Sequence, residues 1–151
     1  MDKEKVLEKE IDLIQNCITR MSQNSFSIKG WTIALTLAAI ALLPEKVNKI
    51  FLCLIILIIT AVFWYLDGFF LKTETLYRWK YNWVIKNRLK SEDYFCDLNP
   101  HNEKMRLPDK NESSAKEPSI LSMMFSKTLC PFYCPIIILA LSVMLVMLNR
   151  G

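Results

Sequence analysis

Two long stretches without a charged side chain constrain most strongly what this chain can fold into. One runs from Ile50 to Leu66 and the other from Pro131 to Asn149. A surface helix of a soluble protein keeps one face for water, so its apolar residues recur periodically. Uncharged runs of this length instead approach the ~20 residues that a helix needs to cross the ~30 Å hydrocarbon core of a bilayer. The pattern predicts an all-α integral membrane protein.

A third transmembrane helix is predicted ahead of these two runs. From Trp31 to Leu43 the sequence contains only apolar residues and threonine, and Pro44 ends the segment. Counted from Ser25, the segment reaches the ~20 residues of a span if the long side chain of Lys29 extends to the interface. A cleaved signal peptide is the competing interpretation. We reject it because residues 1–24 are mostly polar and a second hydrophobic run follows at once.

The chain is therefore predicted to contain three transmembrane helices and amphipathic cytoplasmic helices, in four segments. These are a cytoplasmic amphipathic helix (1–24), a transmembrane hairpin (25–71), a cytoplasmic basic and aromatic helix with a flexible loop (72–131), and a third transmembrane helix (132–149). Residues 91–118 are polar and proline-containing, which is typical of a loop, and residues 119–129 resemble a short amphipathic helix. Pro135 predicts a kink or a late start in the third span.

The distribution of lysine and arginine predicts the orientation in the membrane. Six of these residues lie between Lys72 and Lys90, whereas the short turn at 45–49 holds two, Lys46 and Lys49. This bias places the 72–131 region and the N-terminus in the cytoplasm. Arg150 and Gly151 are then outside, in an inner (cell) membrane protein.

The first helix carries apolar residues in a heptad pattern, which form a seam of Leu7, Ile11, Ile14, Ile18 and Met21. The seam could pack against a second copy, or it could fold onto the chain's own cytoplasmic helices. It is too short for an autonomous coiled coil, which usually needs three or four heptads. We assign it to self-association, so a homo-oligomer is expected.

Asp67 is the most informative polar residue, because an ionised carboxylate within a span is costly. In an antiparallel hairpin, Lys29 and Asp67 lie at similar depth on the cytoplasmic side, which predicts an interhelical ion pair. Two alternatives remain: Asp67 could reach the headgroups with help from Lys72, or it could act in a proton or ion path. A single carboxylate without a second acidic or histidine partner at depth favours the structural role.

Aromatic and basic residues gather near the predicted membrane surfaces, as interface anchors do. The predicted anchors are Trp31, Trp64, Tyr65, Trp79, Trp83, Lys72, Arg78 and Lys80. The basic and aromatic composition of residues 72–90 could also bind nucleic acid. Next to a membrane it more often contacts anionic lipid, so a nucleic-acid partner is not expected.

The sequence gives no sign of catalysis, of a cofactor or of a metal site. It contains three glycines, one histidine and none of the common catalytic or phosphate-binding motifs. The five cysteines form no C-x-x-C pair. Cys130 and Cys134, four residues apart, could share a helical face, and His101 is interpreted as a solvated loop residue.

Three segments carry a resemblance to a known family: Asn24–Trp31 (N-S-F-S-I-K-G-W), Phe63–Asp67 (F-W-Y-L-D), and Ser126–Leu129 followed by Phe132-Tyr133. With them, the chain resembles a family of uncharacterised small bacterial membrane proteins. Its plan is also similar to that of two-transmembrane effectors found beside nucleotide-signalling defence genes, although those usually lack a third span. The resemblance implies a bacterial inner-membrane setting and assigns no chemistry.

The leading hypothesis for function is a non-enzymatic, self-associating membrane protein that perturbs the bilayer in phage defence. The second is a membrane anchor or accessory subunit that holds a soluble protein through its cytoplasmic loop. A holin-like lysis protein is the third, although holins seldom carry a loop as long as 72–131.

Overall fold

The computed structural model describes residues 3–42, 49–108 and 116–149, and the regular elements in these ranges are all helical. They are α1 (Lys3–Leu42), α2 (Lys49–Asn87), α3 (Ile120–Met124) and α4 (Cys130–Leu148), with a 3-10 turn at Glu103–Met105. The all-α class is therefore confirmed. At ~1.5 Å per residue, α1 and α2 are each about twice as long as a membrane span requires.

Among the described residues, two helices rather than three are long and apolar enough to cross a membrane, namely α2 and α4. The predicted first span lies in α1, which is not one of these two candidate spans. Its polar start at residues 24–29 lies inside the helix, and its apolar end at residues 43 and 44 lies outside the described ranges. The predicted 45–49 turn, except Lys49, and the C-terminal pair Arg150–Gly151 also lie outside them.

The chain forms two compact units. The first comprises Met1–Gln23 and Phe70–Ser119, and the second comprises Asn24–Phe69 and Ile120–Gly151. Residues 120–131, which the sequence assigns to the cytoplasmic segment, therefore belong with the apolar helices. The predicted amphipathic helix at 119–129 is shorter than expected, because α3 ends at Met124.

The heptad seam lies in the core of the first unit. Ile14 is fully buried and forms this core together with the buried residues Cys17, Tyr77, Val84 and Met105. The remaining seam residues pack against the core; they are Leu7, Ile11, Ile18 and Met21. The seam packs within the chain, which is one of the two alternatives that its spacing left open, and self-association stays a prediction. The physical reason is that α2 extends beyond its apolar part and offers an apolar stripe in the same chain, which needs no association of two molecules.

The described part of the predicted flexible loop is folded against the helices of the first unit. The Tyr77 hydroxyl donates to the Leu98 carbonyl at 3.2 Å, and the Leu107 amide donates to the Trp79 carbonyl at 3.3 Å. Met105 fills the core at 1% exposure. The composition suggested flexibility because it is polar, but these polar groups are used in hydrogen bonds. Residues 109–115 of this loop lie outside the described ranges.

The second unit contains the apolar halves of α1 and α2 together with α3 and α4. Thr32 and Thr60 are fully buried, and each hydroxyl donates to the carbonyl one turn earlier in its own helix, a common way of satisfying such groups. Only 22% of the most apolar stretch of α2 and 11% of that of α4 is buried. α4 begins at Cys130 and continues through Pro135, so the late start considered for this helix does not occur.

Candidate functional site

The candidate site is built around Asp67 on α2, which is completely buried in the second unit. Lys29 Nζ lies 2.6 Å from Asp67 Oδ2, and the Tyr133 hydroxyl donates to the same oxygen at 3.0 Å. The Ser25 hydroxyl donates to Asp67 Oδ1. We call these four residues the Asp67 cluster; they come from α1, α2 and α4.

Helical spacing positions the α1 side of the cluster. Ser25 and Lys29 are one turn apart, so both side chains lie on the same face. Lys29 Nζ donates to Ser25 Oγ at 2.8 Å, and the lysine side chain is 23% exposed. The cationic tip therefore enters the cluster while part of its stem remains at the surface, as long basic side chains often do.

Tyr133 on α4 is held by its ring as well as by its hydroxyl. The ring is fully buried and stacks on Trp64 of α2, with centroids 5.8 Å apart and an interplanar angle of 16°. Trp64 in turn donates its indole N–H to the Met124 carbonyl at 2.8 Å and meets Phe125 edge-on. Aromatic pairs of this kind restrict orientation, so α4 and the segment after α3 are both fixed against α2.

The close approach of α3 to α2 depends on Gly68. A Cβ atom at this position would lie 2.8 Å from Met124 Cγ and 3.3 Å from the Ile120 carbonyl oxygen. The glycine therefore leaves the space that α3 occupies, directly after Asp67 in the sequence.

Chemically, the Asp67 cluster is balanced: one carboxylate faces one ammonium and two hydroxyl donors. Such pairing is what a buried charge requires. No second carboxylate and no histidine contributes a contact to Asp67 in the described residues. The arrangement is suited to fixing three helices relative to one another.

The first unit contains a second buried ion pair that the sequence analysis did not find, between Glu10 and Arg88. Glu10 is 0% and Arg88 3% exposed. Arg88 Nη2 donates to Glu10 Oε1 at 2.7 Å, and Nε donates to Oε2 at 2.5 Å. The remaining Arg88 donors reach carbonyls of the 91–94 segment, the shortest at 2.7 Å to Asp93. The guanidinium thus fixes this segment to α1 and α2.

Lys80 is buried in the same unit, at 2% exposure. Its ammonium donates to the Asp97 and Asn99 carbonyls at 2.5 and 2.7 Å. Burial lowers the pKa of Lys80, and the nearby Asp97 carboxylate only partly opposes this. For Asp97, burial raises the pKa, but hydrogen bonds from Asn102 and the Asn99 amide together with Lys80 outweigh it, so the net pKa is lowered.

Glu117 contacts three basic side chains of the first unit. Lys72 Nζ and His101 Nδ1 lie 2.6 and 3.2 Å from Oε1, and Arg106 Nη2 lies 2.6 Å from Oε2. The hydrogen bond from Lys72 holds the pKa of Glu117 below its ordinary value; burial opposes this, and His101 adds to it. His101, interpreted from the sequence as a solvated loop residue, therefore has a defined partner.

The predicted interface anchors fall into two groups. Trp31 (60%), Tyr65 (50%) and the Arg78 side chain (58%) are exposed, as an anchor requires. Trp64, Trp79 and Lys80 are buried, and the assignment of these three as anchors is corrected, because internal packing and carbonyl contacts occupy them. Lys72 is paired with Glu117, and Trp83 is partly buried with Arg88 5.6 Å from its ring centre.

The sequence predicted the contact between Lys29 and Asp67 but not the other two members of the Asp67 cluster. It predicted neither member of the Glu10–Arg88 pair. Ser25 could have been found from its position one turn before Lys29. Tyr133 gave no comparable signal, since a tyrosine at the start of a span is common at membrane interfaces. Glu10 flanks the heptad seam, but its pairing with Arg88 joins residues 78 positions apart.

Within the described residues, no group of three or more histidine, cysteine, aspartate or glutamate side chains could hold a metal ion. Comparison with known proteins gives no match to a family model, to a curated protein or to a solved structure.

Proposed function

We propose that this chain is a non-enzymatic integral membrane protein that holds its folded first unit at the cytoplasmic surface as a docking module for a soluble protein. In this proposal the membrane-spanning segments are three, with the apolar half of α1 joining α2 and α4. The N-terminus is cytoplasmic and the C-terminus is outside.

One observation carries the proposal: buried polar groups join three helices whose outer surfaces are apolar. On α1 the outward residues include Phe26 (80% exposed), Trp31 (60%), Leu37 (60%) and Ile40 (54%). On α4 they include Ile138 and Leu139, at 65% and 67%. Contiguous exposed apolar surface on this scale is rare in soluble monomers. A lipid environment accounts for it, and the inward-facing Asp67 cluster is where charged groups of a membrane protein are usually found.

Two features of the first unit support the docking role, namely the burial of its heptad seam and an open polar cleft. The heptad seam is used in the unit's core, which weakens the argument for self-association through it. The unit also presents an open cleft of about 410 Å³, lined by Gln15, Ile18, Thr19, Arg78, Tyr81 and Asn82. Its mixture of amide, hydroxyl, aromatic and guanidinium groups suits a protein surface, where tyrosine and arginine are favoured.

The test is purification of the tagged full-length chain from its native host in mild detergent, with cleft variants. We expect a soluble protein to co-purify in stoichiometric amount and to be lost from Thr19→Arg, which places a bulky charge in the cleft. Asn16→Arg is the matched control, because Asn16 is exposed on the same helix but does not line the cleft. A preparation that contains this chain alone, under gentle extraction, would contradict the docking role.

The topology has a separate test. A reporter that works only in the cytoplasm should be active when it is fused at residue 100. A reporter that works only outside the cell membrane should be active when it is fused after residue 149. Recovery of the chain in the soluble fraction without detergent would refute the membrane assignment itself.

A second candidate function is a self-associating effector that perturbs the bilayer in phage defence. It is favoured by α4, which is apolar along its length and only 11% buried over its most apolar stretch, so it could pack against further copies. Leakage of dye from liposomes containing the purified protein, together with a homo-oligomer in detergent, would favour this candidate over the anchor. A holin-like lysis protein predicts the same leakage, together with lysis when the chain is co-expressed with a lysin.

A further inference from the structure

Cys130 and Cys134 stand in the first turns of α4 with their sulfur atoms 3.1 Å apart. Both are free thiols and both are partly exposed. Sequence spacing placed them on one helical face, and the structure brings the sulfur atoms into direct contact. The Asp67 cluster and the cleft of the first unit do not use this pair.

The local backbone favours a reversible bond between the two. Side chains one helical turn apart have Cβ atoms ~5–6 Å apart, whereas a disulfide needs ~3.5–4.5 Å. The turn must therefore tighten by about 1–2 Å. Pro135 lies in this stretch, inside the helix, and has no N–H, so one helical hydrogen bond fewer resists the change. A bridge closed against such a constraint is easily reduced.

We propose that Cys130 and Cys134 form a redox-active dithiol site whose co-substrate is a low-molecular-weight disulfide. One cysteine attacks the external disulfide, forms a mixed disulfide and releases one thiol. The other cysteine then attacks the protein-bound sulfur, closes the Cys130–Cys134 bond and releases the second thiol. The two protons and two electrons of the protein thiols thus pass to the external disulfide, which leaves as two thiols.

The site is coupled to the Asp67 cluster through Tyr133, which lies between the two cysteines in the sequence. The Tyr133 hydroxyl bonds to Asp67 and its ring stacks on Trp64. Tightening the turn moves Tyr133 relative to α2, so oxidation weakens the contact between α4 and Asp67. The reduced form is the resting one if α4 begins at the cytoplasmic side, where thiols are kept reduced; this last point rests on the proposed topology.

The experiment uses the purified full-length chain in detergent, equilibrated with mixtures of oxidised and reduced glutathione, then trapped by alkylation and mapped by peptide mass. With alkylation carried out on the unfolded chain, so that all five cysteines can react, we expect oxidation to protect Cys130 and Cys134 and to join them within one chain, with reversal by reduced glutathione. Cys130→Ser and Cys134→Ser should abolish the bridge. Cys96→Ser, which alters an exposed cysteine outside the pair, should retain it.

Stable glutathione adducts without an internal bridge, disulfide-linked dimers, or no reaction would each overturn the site. The coupling has its own readout: oxidation should shift the fluorescence of Trp64, as a spectral change that is missing in Trp64→Phe and in Cys134→Ser. A bridge that forms without this shift would overturn the coupling to Asp67. Because the chemistry is measured in the purified chain, its outcome does not depend on whether the docking proposal holds.

Discussion

Lys29 Nζ lies 2.6 Å from Asp67 Oδ2, and this contact joins α1 to α2 at a carboxylate that has no exposure of its own. The two residues are 38 positions apart in the sequence and are the charged members of the Asp67 cluster. Attraction between them is stronger in a low-dielectric environment than in water, but an unpaired charge left there is also more costly. The pair is therefore best tested by removing its partners singly and together.

Lys29→Met should destabilise the protein by about 3 kcal/mol, because it leaves the Asp67 carboxylate buried without its counter-ion. Asp67→Asn should cost less, since the Lys29 side chain left without its partner is 23% exposed. The amide oxygen can still accept a hydroxyl hydrogen bond, although the amide nitrogen cannot replace the second carboxylate oxygen as an acceptor. The double variant should be more stable than the sum of the two effects predicts, with a coupling energy of about 2 kcal/mol. Unfolding in detergent measures all three variants, and simple additivity would show that the pair does not interact.

Tyr133→Phe should lower the free energy of unfolding by about 1.5–3 kcal/mol, the usual contribution of a hydrogen bond to a charged group. The ring remains, so its stacking on Trp64 is preserved. Tyr133→Ala should cost more, because it also removes the ring from a fully buried position. Equal losses in the two variants would mean that the hydroxyl contributes nothing.

Gly68→Ala should weaken the packing of α3 on α2, since the new Cβ would lie 2.8 Å from Met124 Cγ. We expect a loss of about 1–3 kcal/mol, as is typical of overpacking. Gly30→Ala is the matched control: it is also inside a helix, and a Cβ atom added there would have nothing within 4 Å. That variant should gain up to about 1 kcal/mol from helix propensity. The same change in unfolding free energy for both variants would contradict this account.

Glu10→Gln should destabilise the first unit by about 3–5 kcal/mol, because Arg88 would remain buried without a counter-charge. Arg88→Lys should also be harmful, since lysine cannot reproduce the forked contact with Glu10 and the carbonyls of 91–94. Glu8→Gln is the control on the exposed face of α1 and should change stability by less than about 0.5 kcal/mol. Thermal unfolding followed by circular dichroism gives the comparison.

Stability should fall in acid partly through Glu117. Its pKa is lowered below the ordinary 4.5, first by the Lys72 hydrogen bond, so the folded state binds the proton less readily than the unfolded state. The resulting stabilisation is present above pH 4.5 and is lost as the pH falls through the lowered value. Glu117→Gln should therefore be less stable than the parent at about pH 7 and closer to it near about pH 3. Parallel stability curves for the two proteins would contradict this assignment.

The all-α class and the long helix α2 could be predicted from the local pattern of apolar and charged residues. The uncharged run at 50–66 and the stripe that follows it predicted one helix continuing past the span, and α2 does run from Lys49 to Asn87. Lys29 and Asp67 lie at similar depths in an antiparallel hairpin, and this was enough to predict their contact. These features depend on residues near one another in sequence, or on one antiparallel connection.

The tertiary structure alone decided which partner each amphipathic face took. The heptad seam is equally compatible with a second copy or with α2, and the two cannot be distinguished from spacing. Polar loop residues look flexible in sequence because their hydrogen-bond partners, such as Trp79 for Leu107, lie far along the chain. Tyr133 and Glu10 are ordinary residues locally. They become site residues only because folding places a carboxylate or a guanidinium beside them, and removing a charge from water makes such a partner necessary.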